Sequence, residues 1–193
     1  MTTQPAFHPR TRILHNLVAL LITTQLFIGA LMQPPRPGQP HSTLFEVHAT
    51  LGLASLASVA AFILWIALRR VDTPVAQMLP WFGEARARAM GQFAALLRGL
   101  RRRRLPEPEA TAEFASAIHG LGLLAALGMG ASGGLYWVLT EILGDTSSLP
   151  HQVGEFHSTL VSLMWAYLGG HVFMALLHQW LGHGTLRRIL GKP

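Results

Sequence analysis

The chain has 193 residues, half of them apolar and only 12% charged, with a mean hydropathy of +0.36, which is too apolar for a water-soluble domain of this size. It has no cysteine, which excludes disulfides, thiolate metal sites, iron–sulfur clusters and haem attached through a C-x-x-C-H motif. Its net charge of +6 comes from Arg and Lys gathered into a few short blocks, and ten histidines against no cysteine is the compositional feature to be accounted for.

The first apolar run, about 13–32, follows Arg10 and Arg12. It is longer than the apolar part of a secretory signal and shows no small-x-small cleavage site, so it reads as a retained membrane helix with His15 near its start. The proline-rich QPPRPGQP cannot continue a helix and forms the first external loop. A second helix is expected over about 44–68, closed by Arg69 and Arg70. His48 sits near its entrance, with Gly52, Ser55 and Val59 following on the same face. Small residues below a histidine allow a planar group to approach the backbone, although they also serve close helix packing.

The stretch 69–112 is polar and holds nine of the fifteen Arg and Lys residues. Trp81 to Leu100 can be drawn as an amphipathic helix lying along the membrane surface, with Phe82, Phe93, Leu96 and Leu97 against Arg86, Arg88 and Arg98. The run Arg101–Arg104 beside membrane helices is accounted for by the positive-inside bias or by anionic lipid, so nucleic acid is not the expected partner. The third helix, about 113–139, carries His119 and a high density of glycine. A second external loop follows, and the fourth helix is expected over about 155–181.

This fourth segment carries most of the chemistry. His157 and His171 are fourteen residues apart, which on a helix places them about 40° apart in azimuth and about 21 Å apart along the axis. They share a face at two depths, with Met164 and Leu168 between them, and His178 lies further along. An imidazole in hydrocarbon needs a partner, and other segments offer partners at matching depths.

Four spans put both termini on one side, where fourteen of the fifteen cations then fall, leaving only Arg36 opposite. That bias predicts cytoplasmic termini in a bacterial inner membrane, with the loop 69–112 also inside. Running the helices through the bilayer pairs His48 with His157 at the outer side and His15 with His171 at the inner side. Two bis-histidine stations in a four-helix bundle are what two non-covalent b haems require. Zinc or a di-iron centre would want more ligands at one depth, usually with carboxylates, and no Asp or Glu lies in the interior of any span. The expected fold is therefore all-α: a single-domain integral membrane four-helix bundle over 1–193 with short external loops and one long basic cytoplasmic loop.

The segments RILHNLVALL, FEVHATLGLASL and EFHSTLVSLMWAYLGGHVFMALLH resemble the prokaryotic cytochrome b561 family, in the wider group that includes the membrane cytochrome subunits of formate dehydrogenases and nickel–iron hydrogenases. The resemblance covers all four spans. It implies two b haems ligated by one histidine from each of the first two helices and two from the fourth, here His15, His48, His157 and His171. It also implies electron exchange with ubiquinone or menaquinone near the inner haem, where Asn16, His119 and His178 are the polar candidates for quinone or propionate contacts. A dehydrogenase or another redox protein is the implied partner, together with membrane lipid, and a homodimer is open. Two other readings stand beside it. One is a stand-alone superoxide:ubiquinone oxidoreductase, with Arg36, His41 and His151 attracting the anion at the outer surface. The other is a non-haem membrane protein whose histidines bind or transport a metal.

Overall fold

A computed structural model of the chain describes residues 7–35, 40–69, 75–80, 83–102, 107–182 and 184–191. Within them the chain is helical: α1 (Pro9–Leu31), α2 (Thr43–Leu68), α3 (Val75–Met78), α4 (Gly83–Arg101), a 3₁₀ turn (Pro108–Thr111), α5 (Ala112–Trp137) continued by a π turn (Val138–Ile142), α6 (Leu149–Trp180) and α7 (Thr185–Leu190). Four of these helical stretches are long and apolar enough to cross a membrane: Pro9–Leu31, Thr43–Leu68, Ala112–Ile142 and Leu149–Trp180. They make a multi-pass membrane bundle in which α1 packs on α2, α2 on α5 and α5 on α6, while α6 meets α1 only sparingly.

The packing explains why such apolar helices hold together. Their outer faces carry large side chains such as Leu20, Phe27, Leu64, Phe173 and Trp180, which suit lipid. Inside, Val18, Leu26, Val59, Phe62, Ile66, Met78, Ala126 and Met164 form one buried cluster. Met164 and Val59 are almost fully enclosed, at 2% and 1% exposure. Burial against lipid drives helix association weakly, so close contact through small residues matters more. Gly130 on α5 does this: a Cβ there would stand 3.0 Å from the Leu56 side chain of α2.

The helix ends differ from the sequence expectation in instructive ways. α6 starts at Leu149 rather than at 155. Pro150 is compatible with a first helical turn, where its missing amide is not needed. An Asp145–Ser147 turn leads into it: the Ser147 amide donates to Asp145 Oδ1 at 2.8 Å, and the Leu149 amide donates to Ser147 Oγ at 3.2 Å. The first of these bonds, with a smaller one from the Ser147 hydroxyl, holds the Asp145 carboxyl below the ordinary carboxylate value. At the other end of the bundle, Thr11 Oγ1 accepts from Trp65 Nε1 at 2.9 Å and from Arg69 Nη1 at 3.0 Å, tying the start of α1 to the end of α2. Arg12 Nη2 donates to Leu190 O of α7 at 3.5 Å, and Arg188 lies over the Phe7 ring, so both ends of the chain gather here.

Within the polar stretch between α2 and α5, α4 is docked on the start of α5. Phe93 of α4 stacks on Phe114 of α5 with ring centres 5.0 Å apart. Gln92 Oε1 accepts from the Phe114 amide at 3.0 Å, and Arg88 Nε donates to both Glu113 carboxylate oxygens at 3.0 Å. The surface-helix expectation overlooked that Phe93 and Arg88 have partners in the first turn of α5. Trp81 and Phe82, which entered that expectation, lie outside the described residues. α3 reaches deeper still. A Cβ on Gly120 would collide with the Met78 carbonyl, and the Met78 side chain is buried in the central cluster.

Candidate functional site

Two histidine pairs sit across the bundle, one on each side of the apolar cluster around Met164. Near the loops 32–43 and 143–148, His48 of α2 and His157 of α6 have ring centres 6.3 Å apart, with planes at 84°. Near the chain termini, His15 of α1 and His171 of α6 have ring centres 6.1 Å apart, with planes at 43°. The four candidates therefore come together in the two pairs that depth matching gives. Along α6 the stations are about 21 Å apart, and Met164 lies midway between them.

Each pair is built by identifiable local features. His157 Nδ1–H donates to Met129 O at 3.1 Å and to Ser132 Oγ at 3.0 Å, both on α5, while the Ser132 hydroxyl donates to the same carbonyl. That pattern commits Nδ1 to α5 and leaves Nε2 as the nitrogen available for a metal. Gly133 makes the approach feasible, since a Cβ there would press on His157 Cε1 at 3.1 Å. His48 is seated the same way against Gly29 of α1, where a Cβ would stand 3.2 Å from its Cε1. Its Nδ1 is buried and has no hydrogen-bond partner. His15 Nδ1 lies 3.3 Å from Asn16 Oδ1.

The station near the termini is more crowded. His119 of α5 approaches His171 edge-on, with ring centres 5.1 Å apart, about 1 Å closer than His15. Tyr167, one turn before His171, stacks on it at 5.5 Å and 21°. Its ring occupies the space that a side chain on Gly122 would need. His178 lies two turns past His171 on α6, about 10 Å along the axis. His183 is outside the described residues. The sequence reading had no place for Tyr167, Gln25 or Ser132, and it took Gly133 only as one of the glycines that let the third helix pack closely. Tyr167 carried a signal, because residues four apart on a helix meet.

At the far loops, His41 Nε2 lies 3.7 Å from Glu141 Oε1, and the His41 ring packs on Phe45. The Glu141 carboxylate beside it works against attracting an anion there. Arg36 lies outside the described residues.

The pairs suit a planar metal group with two axial positions. Two imidazoles bound through one nitrogen each to opposite faces of one iron, with metal–nitrogen distances of about 2 Å, hold their ring centres roughly 6 Å apart. The observed 6.1 and 6.3 Å fit that spacing. The glycines beside the rings and the unpartnered Nδ1 of His48 are further features of a site prepared for a ligand. Among the described residues no group of three or more His, Cys, Asp or Glu is arranged to hold a metal ion directly. Four apolar helices enclosing two facing histidine pairs at separate depths define a membrane protein with the frame of a b-type cytochrome. A family model described as prokaryotic cytochrome b561 matches residues 6–192, and the chain belongs to that family. No curated protein and no solved structure matches it. Membership makes it a membrane electron-transfer protein of the haem b type.

Proposed function

We propose that the protein is a transmembrane di-haem cytochrome that passes electrons between a redox partner and the quinone pool. The observation that carries this reading is the pair of ring separations, 6.1 and 6.3 Å, at two depths served by a single helix. His15 and His171 would hold one haem and His48 and His157 the other. When bound, the haems supply the one-electron chemistry. The chain contributes position and orientation: α5 fixes the His157 ring through Nδ1, α1 seats the His48 ring, and the Met164 layer keeps the stations apart. Held by two histidines each, the haems would serve electron transfer rather than oxygen binding.

The orientation rests on charge. Among the described residues, Arg10, Arg12, Arg69, the arginines of α4, Arg102, Arg187 and Arg188 all belong to the end where the termini gather. The positive-inside bias makes that end cytoplasmic, so His15 and His171 form the inner station and His48 and His157 the outer one. Ubiquinone or menaquinone would exchange electrons at the inner station. Asn16, bonded to His15, and His119, against His171, support placing it there as polar groups beside the ring pair. His178, about 10 Å beyond His171, would serve the approach from the cytoplasmic side.

The test is the reduced-minus-oxidised visible spectrum of the detergent-purified protein, with a pyridine haemochrome count. Two low-spin b haems per chain are expected. Protein that stays colourless after expression with ample haem overturns the reading.

A further inference from the structure

Gln25 is a buried polar side chain inside a membrane span, 9% exposed, and the haem-ligand assignment makes no use of it. Its Nε2 donates to the backbone carbonyl of His48 at 2.8 Å, across from α1 to α2. Only the amide nitrogen can donate to a carbonyl, so this bond fixes which way the side chain is turned and leaves Oε1 as a pure acceptor. Oε1 is buried without a partner, and so is Nδ1 of the same His48. Gly29, one turn further along α1, is the residue on which the Cε1 and Nδ1 edge of the His48 ring rests. One face of α1 therefore holds the backbone of His48 at Gln25 and its ring at Gly29. Two buried polar atoms, one an acceptor and the other able to donate, are left over.

The partner ligand shows what is missing. His157 has its Nδ1 committed to Met129 O and Ser132 Oγ, which orients its ring. A metal-bound histidine needs such a second bond to fix its tautomer and ring plane. We infer that Gln25 is the positioning residue for His48, its Oε1 taking the Nδ1 proton of His48 through one bridging water and so leaving Nε2 directed at His157. Two buried polar atoms with no other partner give such a water the two bonds it requires. Gly52 is part of the device. A Cβ there would lie 2.9 Å from Gln25 Nε2, so a side chain at this position displaces the amide from its place at the His48 carbonyl. The inference rests on His48 being a haem ligand.

A proton shared from Nδ1 makes the imidazole a stronger electron donor, which favours ferric iron and lowers the potential of its haem. Redox titration of the purified holoprotein in lipid nanodiscs tests this, with the outer haem identified as the one lost in His157→Leu. Gln25→Leu is expected to raise the midpoint potential of the outer haem and leave the inner one unmoved. Gly52→Ala, which keeps Gln25 but pushes its amide off the carbonyl, is expected to shift the same haem in the same direction. Leu20→Ala, on the outward face of α1, is expected to shift neither. An unmoved outer potential in Gln25→Leu, or equal shifts of both haems, overturns the inference. If Gln25→Leu loses the outer haem, Gly52→Ala decides by the same criterion. Wild-type protein without haem would overturn the di-haem reading itself, a result distinct from these.

Discussion

Gly133 is where the proposed outer haem can be perturbed without touching a ligand. A Cβ at this position would stand 3.1 Å from His157 Cε1. Comfortable carbon–carbon contact begins at about 3.5–4.0 Å, so alanine demands a retreat of roughly 0.5–1 Å from the ring, or a tilt on the order of 10°. Binding sites tolerate errors of about 0.5 Å and 10–20°, which places Gly133→Ala at the edge of function and Gly133→Leu beyond it. Overpacking of this kind costs about 1–3 kcal/mol. If the cost falls on the haem-bound state, outer-haem affinity drops about 5- to 150-fold in the alanine variant. The assay is transfer of haem to excess apomyoglobin, followed spectrally, with the inner haem as an internal check on folding. Gly133→Ala should lose one haem faster than wild type while retaining the other, and Gly133→Leu should purify with one haem. Gly169→Ala is the control, since a Cβ there meets nothing within 4 Å. A Gly133→Leu protein holding two haems with unaltered spectra would refute the close seating of His157 against α5.

Single-ligand variants should separate the stations: His48→Leu or His157→Leu leaves one haem per chain, and His15→Leu leaves the other, distinguishable by midpoint potential. Loss of both haems from one such variant would show that the pairs are not independent. Phe93→Ala removes the stacked ring that seats α4 on Phe114, a contact of about 0.5–1.5 kcal/mol beyond its buried area, so limited trypsin digestion at the arginines of α4 should accelerate severalfold while haem content is unchanged. Asp145 gives a pH dependence of known sign. Its carboxyl is held below the ordinary 3.8 by the Ser147 bonds, so its support for the start of α6 is complete above that value and is lost as pH falls through the lower folded value. Hydrogen-exchange protection of the Ser147 amide should fall on acidification in the wild type and stay flat in Asp145→Asn.

The parts of this structure that were legible in advance are those governed by periodicity. The fourteen-residue step from His157 to His171 needs only the helical repeat, and depth matching needs only the order of spans. Contacts between helices were another matter. Gln25 looks unremarkable in ITTQLFIGA, because nothing local reveals that ten residues beyond His15 it faces the carbonyl of a histidine on the next helix. His119 was visible as a residue but not as a neighbour of His171, since the azimuth of α5 follows from its packing on α2 and α6. The start of α6 was placed at 155, where the charge-free run begins, although the helix starts at Leu149. Pro150 stands in the first turn, where proline fits, and Gly154 sits within the helix against Tyr136. The contacts of α4 with α5 were not legible, because an amphipathic pattern does not say what covers its apolar side.

The division of labour among the helices follows from one fact: α6 contributes a histidine to both stations. Their separation is then a property of one continuous helix, about 21 Å over fourteen residues, and does not depend on any loop. The partner histidines come from two helices, α1 and α2, so their relative height has to be set by contact instead. The contacts between those helices are polar at both ends. Thr11 ties the ends near the chain termini together through Trp65 and Arg69, and Gln25 ties the part towards the opposite end through the carbonyl of His48 itself. Apolar packing alone would let two lipid-embedded helices slide, because one leucine contact replaces another at little cost. Directional bonds in low dielectric resist that movement. The polar residues of α1 thus serve the same end as the unbroken length of α6: they keep two ring pairs in register across the bundle.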